Sequence, residues 1–458
     1  MAKDLRHFLN MIERKYPDLL MKVTEQVNPN RFEISAFLDL VERKNLEKVI
    51  LFEKALSADE TRSTPFVSNI FFSRGICALA LDLERGNDRM GLVEEFARRE
   101  ERPGQIEKIQ QSKAPCKEVI WEKDAANLQK LPIPMFHSKD AGPYFTMTCA
   151  MKALDGDFYD ITFNKNWVKS ATRMSVSAHA HHHLEGIFSQ YEAKNMRAPL
   201  IVVLGHHPAF YLSSCCLTSF GNNDYLTASS FLGEPLRLTP SHTWGDRFLV
   251  PADAEIIVEA EVLPEVREKQ NPFGEIAGYY QPEMMVPVAE VTAITMKKDP
   301  ITQGIFPGRS EHWNLGGIPK EGSVYSVIKR NIPRIKAIHL PPSGCGRFSC
   351  TISIKKEFEN EPRRAAMAAF TEMPNLKLAI VVDEDVDVYN EREVQWAMVT
   401  RTHWDKDIEM IRKVQSFRGW LGDAVVIIDA TRPKGVDFPE KNEIPPDAIV
   451  SAEKRWKL

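Results

Sequence analysis

Glu275 has the sequence setting that most invites chemistry. It stands in Gln270-Asn271-Pro272-Phe273-Gly274-Glu275-Ile276-Ala277-Gly278-Tyr279-Tyr280, a lone carboxylate flanked by glycines and aromatic side chains. Pro272 and Gly274 interrupt regular backbone, so Glu275 is expected at the mouth of a turn. Apolar neighbours would desolvate the carboxyl, raise its pKa and suit it to moving protons near neutral pH. A glutamate that caps a packed loop corner would read the same way locally.

A second cluster is His179-Ala180-His181-His182-His183. Closely spaced histidines hold metals in hydrolases, which makes a metal-dependent hydrolase one reading. The carboxylate that such motifs place just before the last histidine is missing, and a His-rich helix start is the plainer alternative. Asp160 lies in the apolar run Phe158-Tyr159-Asp160-Ile161-Thr162-Phe163, and Asp224 follows Gly221-Asn222-Asn223. Two carboxylates and an imidazole make an oxygen-rich site suited to Mn²⁺, Mg²⁺ or a monovalent ion, although Asp224 could instead cap a helix beginning at Tyr225. Lys165 and Lys377 offer cations to a phosphate, or lie solvated at the surface. Cys345, in the turn Pro341-Pro342-Ser343-Gly344-Cys345-Gly346, has no base supplied in sequence. No P-loop, Gly-x-Gly-x-x-Gly or Gly-x-Ser-x-Gly occurs.

The elements that must position these groups fall into three textures. Residues 1–112 read as a small N-terminal α/β lobe. Helices are expected near 2–17, 31–44 and 92–99, with a buried strand at Val49-Ile50-Leu51-Phe52 and a solvated connector from Arg98 to Lys113. Residues 113–318 are dense in short strand-like runs at 144–151, 158–163, 174–178, 200–204, 255–262, 286–296 and 301–306, as in a twisted antiparallel sheet or split β-barrel. Within that stretch, the only helix of any length is expected at 182–193. Residues 319–458 alternate helix and strand, as in a three-layer α/β domain, with a Pro- and charge-rich tail after about 433 that could wrap a neighbour.

The 458 residues are 43% hydrophobic and 27% charged, enough for two or three globular domains. A net charge of -4 gives no reason to expect a nucleic-acid partner. The charged N-terminus lacks a signal-peptide core, and no apolar run approaches the ~18 residues that a membrane span needs. Seven scattered cysteines with no Cys-x-x-Cys read as reduced thiols, so a cytoplasmic location is expected.

Together these segments resemble the UbiD family of reversible decarboxylases. The resemblance rests on Pro-Phe-Gly-Glu-x-x-Gly-Tyr-Tyr at 272–280, Val250-Pro251-Ala252-x-Ala254-Glu255-Ile256, Pro307-Gly308-Arg309, Leu340-Pro341-Pro342-x-Gly344-Cys345 and Lys377-x-x-Ile380-Val381-Val382-Asp383-x-Asp385-Val386, in order from roughly 115 to 430. It implies a mixed α/β (α+β) chain in which a split-barrel flavin-binding domain joins a C-terminal α/β oligomerisation domain, assembled as a dimer or hexamer. It also implies prenylated FMN from a UbiX-like flavin prenyltransferase, a divalent metal (Mn or Mg) and K⁺. The implied substrates are aromatic, heteroaromatic or α,β-unsaturated acids that release CO2.

Carried over position by position, Glu275 matches the proton-donating glutamate and Lys377 a lysine on the cofactor phosphate. Ser213, Ser214 and Cys215 fall where the family meets the flavin. Asp160, His182 and Asp224 match the metal ligands and the cofactor-binding histidine, with His181 or His183 also able to take that place. The family's trio of one Arg and two Glu departs here to Lys165, Gln270 and Glu275. Lysine keeps the charge but not the bidentate fork, and Gln270 transfers no proton. An altered substrate, such as a CoA thioester or a phosphorylated acid, or a catalytically reduced accessory subunit of a UbiD-like complex, would fit these departures.

Overall fold

The computed structural model describes residues 2–177, 182–414 and 422–456. Its N-terminal part is a four-stranded sheet in the order Leu20–Val27, Val49–Leu56, Ser63–Ser68, Thr302–Gln303. Helix Leu5–Lys15 packs Leu5, Phe8 and Ile12 inward at the expected helical spacing, and Glu33–Arg43 packs Ile34, Leu38 and Val41. The strand read at 301–306 is the short Thr302–Gln303. It pairs in parallel with Ser63–Ser68 and so joins the N-terminal sheet, not the central one. The connector expected from Arg98 to Lys113 is solvent-exposed over most of its length, but it is anchored. Arg99 is buried on the carbonyls of Phe231 and Leu81, and Ile106–Lys108 pairs with Leu236–Ser241. A charged run tells nothing of the carbonyls that will meet it.

The central sheet runs Val119–Glu122, Met284–Met296, Ile256–Gln270, Ala198–Leu204, Tyr144–Lys152, Tyr159–Trp167, with Arg173–Ser175 also on Met284–Met296. Every neighbouring pair is antiparallel. Its apolar face shares one continuous core with helix Leu5–Lys15 and with Leu315 and Ile318 further on. Helix Pro208–Ser213 was not anticipated within this texture, whereas Asp224–Leu232 lies where a helix from Tyr225 had been weighed. The latter is capped by Asn223, whose side chain accepts from the Tyr225 N–H at 3.2 Å. Asp224 is therefore not the cap, and its carboxylate is available for something else.

The C-terminal sheet has the order Ile335–His339, Ser349–Ile354, Leu378–Asp383, Val425–Ala430, Ile408–Ile411, with parallel pairing among the three middle strands. Alternate residues face opposite layers. Ala379, Val381 and Ile427 pack with helix Glu361–Glu372, while Val382 and Ala430 pack with helix Glu391–Arg401. The helix expected from Tyr325 begins fifteen residues earlier and spans Ser310–Asn331, with Pro319 inside it. Position 318 therefore lies within a continuous helix.

Candidate active site

A cavity of about 460 Å³ opens between the strand Tyr159–Trp167, the end of helix Pro208–Ser213, the turn carrying Glu275 and the long helix Ser310–Asn331. The hairpin Phe273–Gly274/Tyr280–Gln281 makes that turn. Glu275 N–H donates to the Tyr279 carbonyl at 2.9 Å, and Gly278 at φ +76° closes the turn by donating to the Glu275 carbonyl at 3.0 Å. Gly308 supports it from outside. Its φ is +70°, and a β-carbon there would lie 2.8 Å from the Glu275 carbonyl oxygen. The expected turn is thus present, and its glycines are required by conformation and by close approach.

The Glu275 side chain is 5% exposed. Its Oε1 accepts from Lys165 Nζ at 2.9 Å, and its Oε2 from the Ile276 N–H at 3.1 Å. Lys165 is also buried and lies 5.3 Å from the Phe273 ring centre. Glu275 and Lys165 thus form a buried ion pair at the cavity wall. Gln270 is fully buried at the end of its strand, outside the cavity wall. Its Nε2 reaches Ser177 Oγ at 3.4 Å, and that hydroxyl donates to the Lys165 carbonyl at 2.7 Å. Gln270 thus stands behind the Lys165–Glu275 pair, with no donor to its Oε1 among the described residues.

Asp160 and Asp224 meet across the strand–helix junction. Asp160 Oδ1 lies 3.2 Å from His183 Nδ1, while its buried Oδ2 has no hydrogen-bond partner among the described residues. Asp224 Oδ2 accepts from the Ile161 N–H at 3.2 Å. Burial, then the like charge of Asp160, holds the Asp224 carboxyl well above the usual carboxylate range. The hydrogen bond to Asp160 raises the pKa of His183. Two buried carboxylates, each with one oxygen that has no hydrogen-bond partner among the described residues, fit a cation, and an all-oxygen-plus-imidazole donor set suits Mn²⁺ or Mg²⁺. Among the described residues, no three His, Cys, Asp or Glu are gathered closely enough to form a preassembled metal cage. His182 and His183 both line the cavity; His179 and His181 lie outside the described residues.

Ser213, Ser214 and Cys215 line the cavity as expected. The Ser213 hydroxyl donates to the Phe210 carbonyl at 2.7 Å and that of Ser214 lies 2.8 Å from Thr148 Oγ1, which fixes this segment as a stiff wall. Lys377 is elsewhere. Its Nζ donates to the Gly422 carbonyl at 2.8 Å, and the cavity wall stops at Asn375. Besides Lys165, the cavity is lined by Lys320, which together with Arg347 and His312 was not singled out in sequence. His312 Nδ1 accepts from the Gly308 N–H at 3.2 Å. The available signal was the spacing of His312 and Lys320, close to two helical turns, but Gly316, Gly317 and Pro319 obscured the helix that carries it. Trp313 of the same helix donates its Nε1–H to the Ile276 carbonyl at 2.7 Å.

Comparison with known proteins bears on these residues. Three domain models of one family match in order: the 3-octaprenyl-4-hydroxybenzoate carboxy-lyase N-terminal domain over residues 13–99, its Rift-related domain over 107–310 and its C-terminal domain over 313–418. The anhydromevalonate phosphate decarboxylase of Methanocaldococcus jannaschii is 29% identical over 62% of this chain and 66% of its own length. The phenolic acid decarboxylase of Sedimentibacter hydroxybenzoicus is 27% identical over 99% of this chain and 97% of its own. Among solved structures, an evolved dimeric form of the UbiD-class enzyme HmfF from Pelotomaculum thermopropionicum, in complex with prFMN, superposes with a TM-score of 0.87. It is 31% identical and covers 98% of both chains.

Proposed function

The chain belongs to the UbiD family of carboxy-lyases, and from that premise we propose that it removes CO2, reversibly and without oxidation, from an aromatic, heteroaromatic or α,β-unsaturated carboxylic acid. The observation that carries the reading is the buried Lys165–Glu275 pair at the wall of a cavity that also holds an acid cluster. Prenylated FMN, which the similar HmfF structure contains, supplies when bound a sink for the electron pair left on the substrate carbon. Ser213, Ser214 and Cys215 would face the flavin. Asp160 and Asp224, with His182 and His183 beside them, would hold a divalent cation, with K⁺ nearby.

The protein's own part is to manage the proton. Glu275 delivers it to the carbon that has lost CO2, and in the carboxylating direction removes it. Lys165 keeps Glu275 fixed and compensates its charge once the proton has left. Gln270, one residue removed from the pair, orients Lys165 through Ser177 and moves no proton. In this reading a single carboxylate carries the proton step. The anhydromevalonate phosphate relative supports an acid that carries a further anionic handle.

The exposed C-terminal helix Pro446–Trp456, which buries none of its residues against its own chain, supports self-association through the C-terminal portion. The test of the central claim is Glu275→Gln in protein coexpressed with a flavin prenyltransferase. Decarboxylation and solvent-proton exchange into the product should both disappear while flavin remains bound. Undiminished turnover would overturn the assignment.

A further inference from the structure

Glu275 is carried by a hairpin of two ladder pairs, Phe273 with Gln281 and Gly274 with Tyr280. So short a two-stranded hairpin does not hold its shape in water by itself. The turn bonds described above close its loop, and Trp313 holds the residue after the acid. The residue before the acid is held by Asp140, which does not line the cavity.

Both carboxylate oxygens of Asp140 accept from backbone N–H groups. Oδ2 takes those of Phe136 at 3.3 Å and His137 at 2.9 Å, which closes its own loop. Oδ1 reaches 134 residues along the chain to the Gly274 N–H at 3.0 Å. The Asp140 side chain is 3% exposed, so water competes little for these bonds. The His137 ring covers Gly274 so closely that a β-carbon there would lie 2.2 Å from Nδ1. The opposite strand is held by the same loop. Tyr280 Oη accepts from the Lys139 N–H at 3.2 Å and lies 3.3 Å from Ser138 Oγ.

This segment also sets the other member of the ion pair. Strand Tyr144–Lys152 begins just after Asp140, and its Thr146 is the register partner of Lys165. The Tyr144 ring meets that of Phe273, with centres 5.4 Å apart. One short stretch of chain is therefore fastened to both sides of the 2.9 Å contact between Lys165 and Glu275.

We propose that Asp140 is a positioning residue for the proton step. Through Gly274 it fixes where the Glu275 carboxyl stands, and through the strand that follows it ties that place to Lys165. This deepens the decarboxylase reading and rests on it for the proton step. A plain loop-closing role would use Oδ2 alone and leaves the bond from Oδ1 to Gly274 without a purpose. A reacting group displaced by an ångström costs about 10²-fold in rate.

The experiment uses the flavin-loaded, full-length protein, with 4-hydroxybenzoate, cinnamate and 2-furoate as probe acids, one from each class proposed above. Asp140→Ala should lower kcat about 10²-fold while KM changes little and flavin is retained. Asp140→Asn keeps one acceptor oxygen and should fall between Asp140→Ala and wild type; it carries the test if the alanine variant does not fold. A double-mutant cycle separates positioning from general damage. In a Glu275→Asp background, where the acid is already set back, Asp140→Ala should cost less than tenfold. Asp140→Ala should also speed amide hydrogen exchange over 273–281 at least tenfold, a readout that needs no turnover. Losses that multiply in the double variant, a loss confined to KM, or unchanged exchange over 273–281 would overturn the assignment. Absence of turnover of every probe acid by wild type would count against the decarboxylase reading, and the exchange rates would still decide the role of Asp140.

Discussion

The ammonium of Lys165 lies 2.9 Å from Oε1 of Glu275, with both side chains buried and contributed by segments 110 residues apart. Strand Tyr159–Trp167 delivers the base and a Gly-closed turn delivers the acid, so their distance is set by the packing of two separate elements. Lys165→Met should lower kcat by about 10²–10⁴-fold, the range associated with positioned proton transfer. Leaving Glu275 without its partner should also cost about 3–5 kcal/mol of stability. Lys165→Arg should recover stability more fully than rate. Stopped CO2 evolution assays and denaturant melts on the same preparations would check both.

Stability should fall as pH rises from roughly 4.5 to 7. Burial lifts Glu311 and Glu100 to about 7 and Asp253 to about 6. In that window the folded chain keeps protons on these acids that the unfolded chain has released, so the slope of unfolding free energy against pH is negative. At about 1.4 kcal/mol per pH unit, the part due to Glu311 is on the order of 3 kcal/mol. Glu311→Gln should flatten the decline between pH 5 and 8 in urea titrations, and an unchanged slope would contradict it.

The first helix is latched by a buried charge network. Lys297 Nζ lies 2.7 Å from Asp4 and 2.9 Å from Glu255, and Glu255 also accepts from Arg6 at 2.8 Å. Lys297→Met leaves Glu255 with the half-exposed Arg6 and the Ile301 N–H at 3.0 Å but without its buried ammonium. It should destabilise the protein by about 3–5 kcal/mol, with early proteolysis near residue 20. Limited digestion followed by mass spectrometry would show the cut.

Removal of 446–456, or Ser at Ile449, Val450 and Trp456 together, should shift the protein toward the monomer in light scattering. All three side chains are exposed on a helix none of whose described residues is fully buried. The melting temperature of the monomeric core should change little, since no fully buried side chain is lost.

The sequence made the Glu275 turn legible because Pro272, Gly274 and Gly278 each restrict the backbone in ways that survive any packing. The C-terminal alternation was legible too, since 378–382 and 425–428 are unbroken apolar runs. What stayed hidden depended on tertiary partners. Pro319 and its neighbouring glycines argue against a helix, yet Leu315, Ile318, Val324 and Ile328 are buried and hold Ser310–Asn331 together. Lys377 and Lys320 are indistinguishable as isolated lysines. Only the course of the chain sends one to the Gly422 carbonyl and the other into the cavity. Asn223, not Asp224, caps its helix because either residue can do so and the geometry chooses.

The indole of Trp313 holds the Ile276 carbonyl at 2.7 Å, one peptide from the proton carrier. The same helix is gripped at its start by the N-terminal lobe, where Arg309 reaches Asp39 at 2.8 Å and Glu311 takes the Ser68 hydroxyl at 2.9 Å. The helix is therefore a tie rod between the lobe and the reacting edge. A lobe that tilts drags the acid off its mark, so damage at a remote surface such as Asp39 would blunt the chemical step while leaving the cavity walls intact.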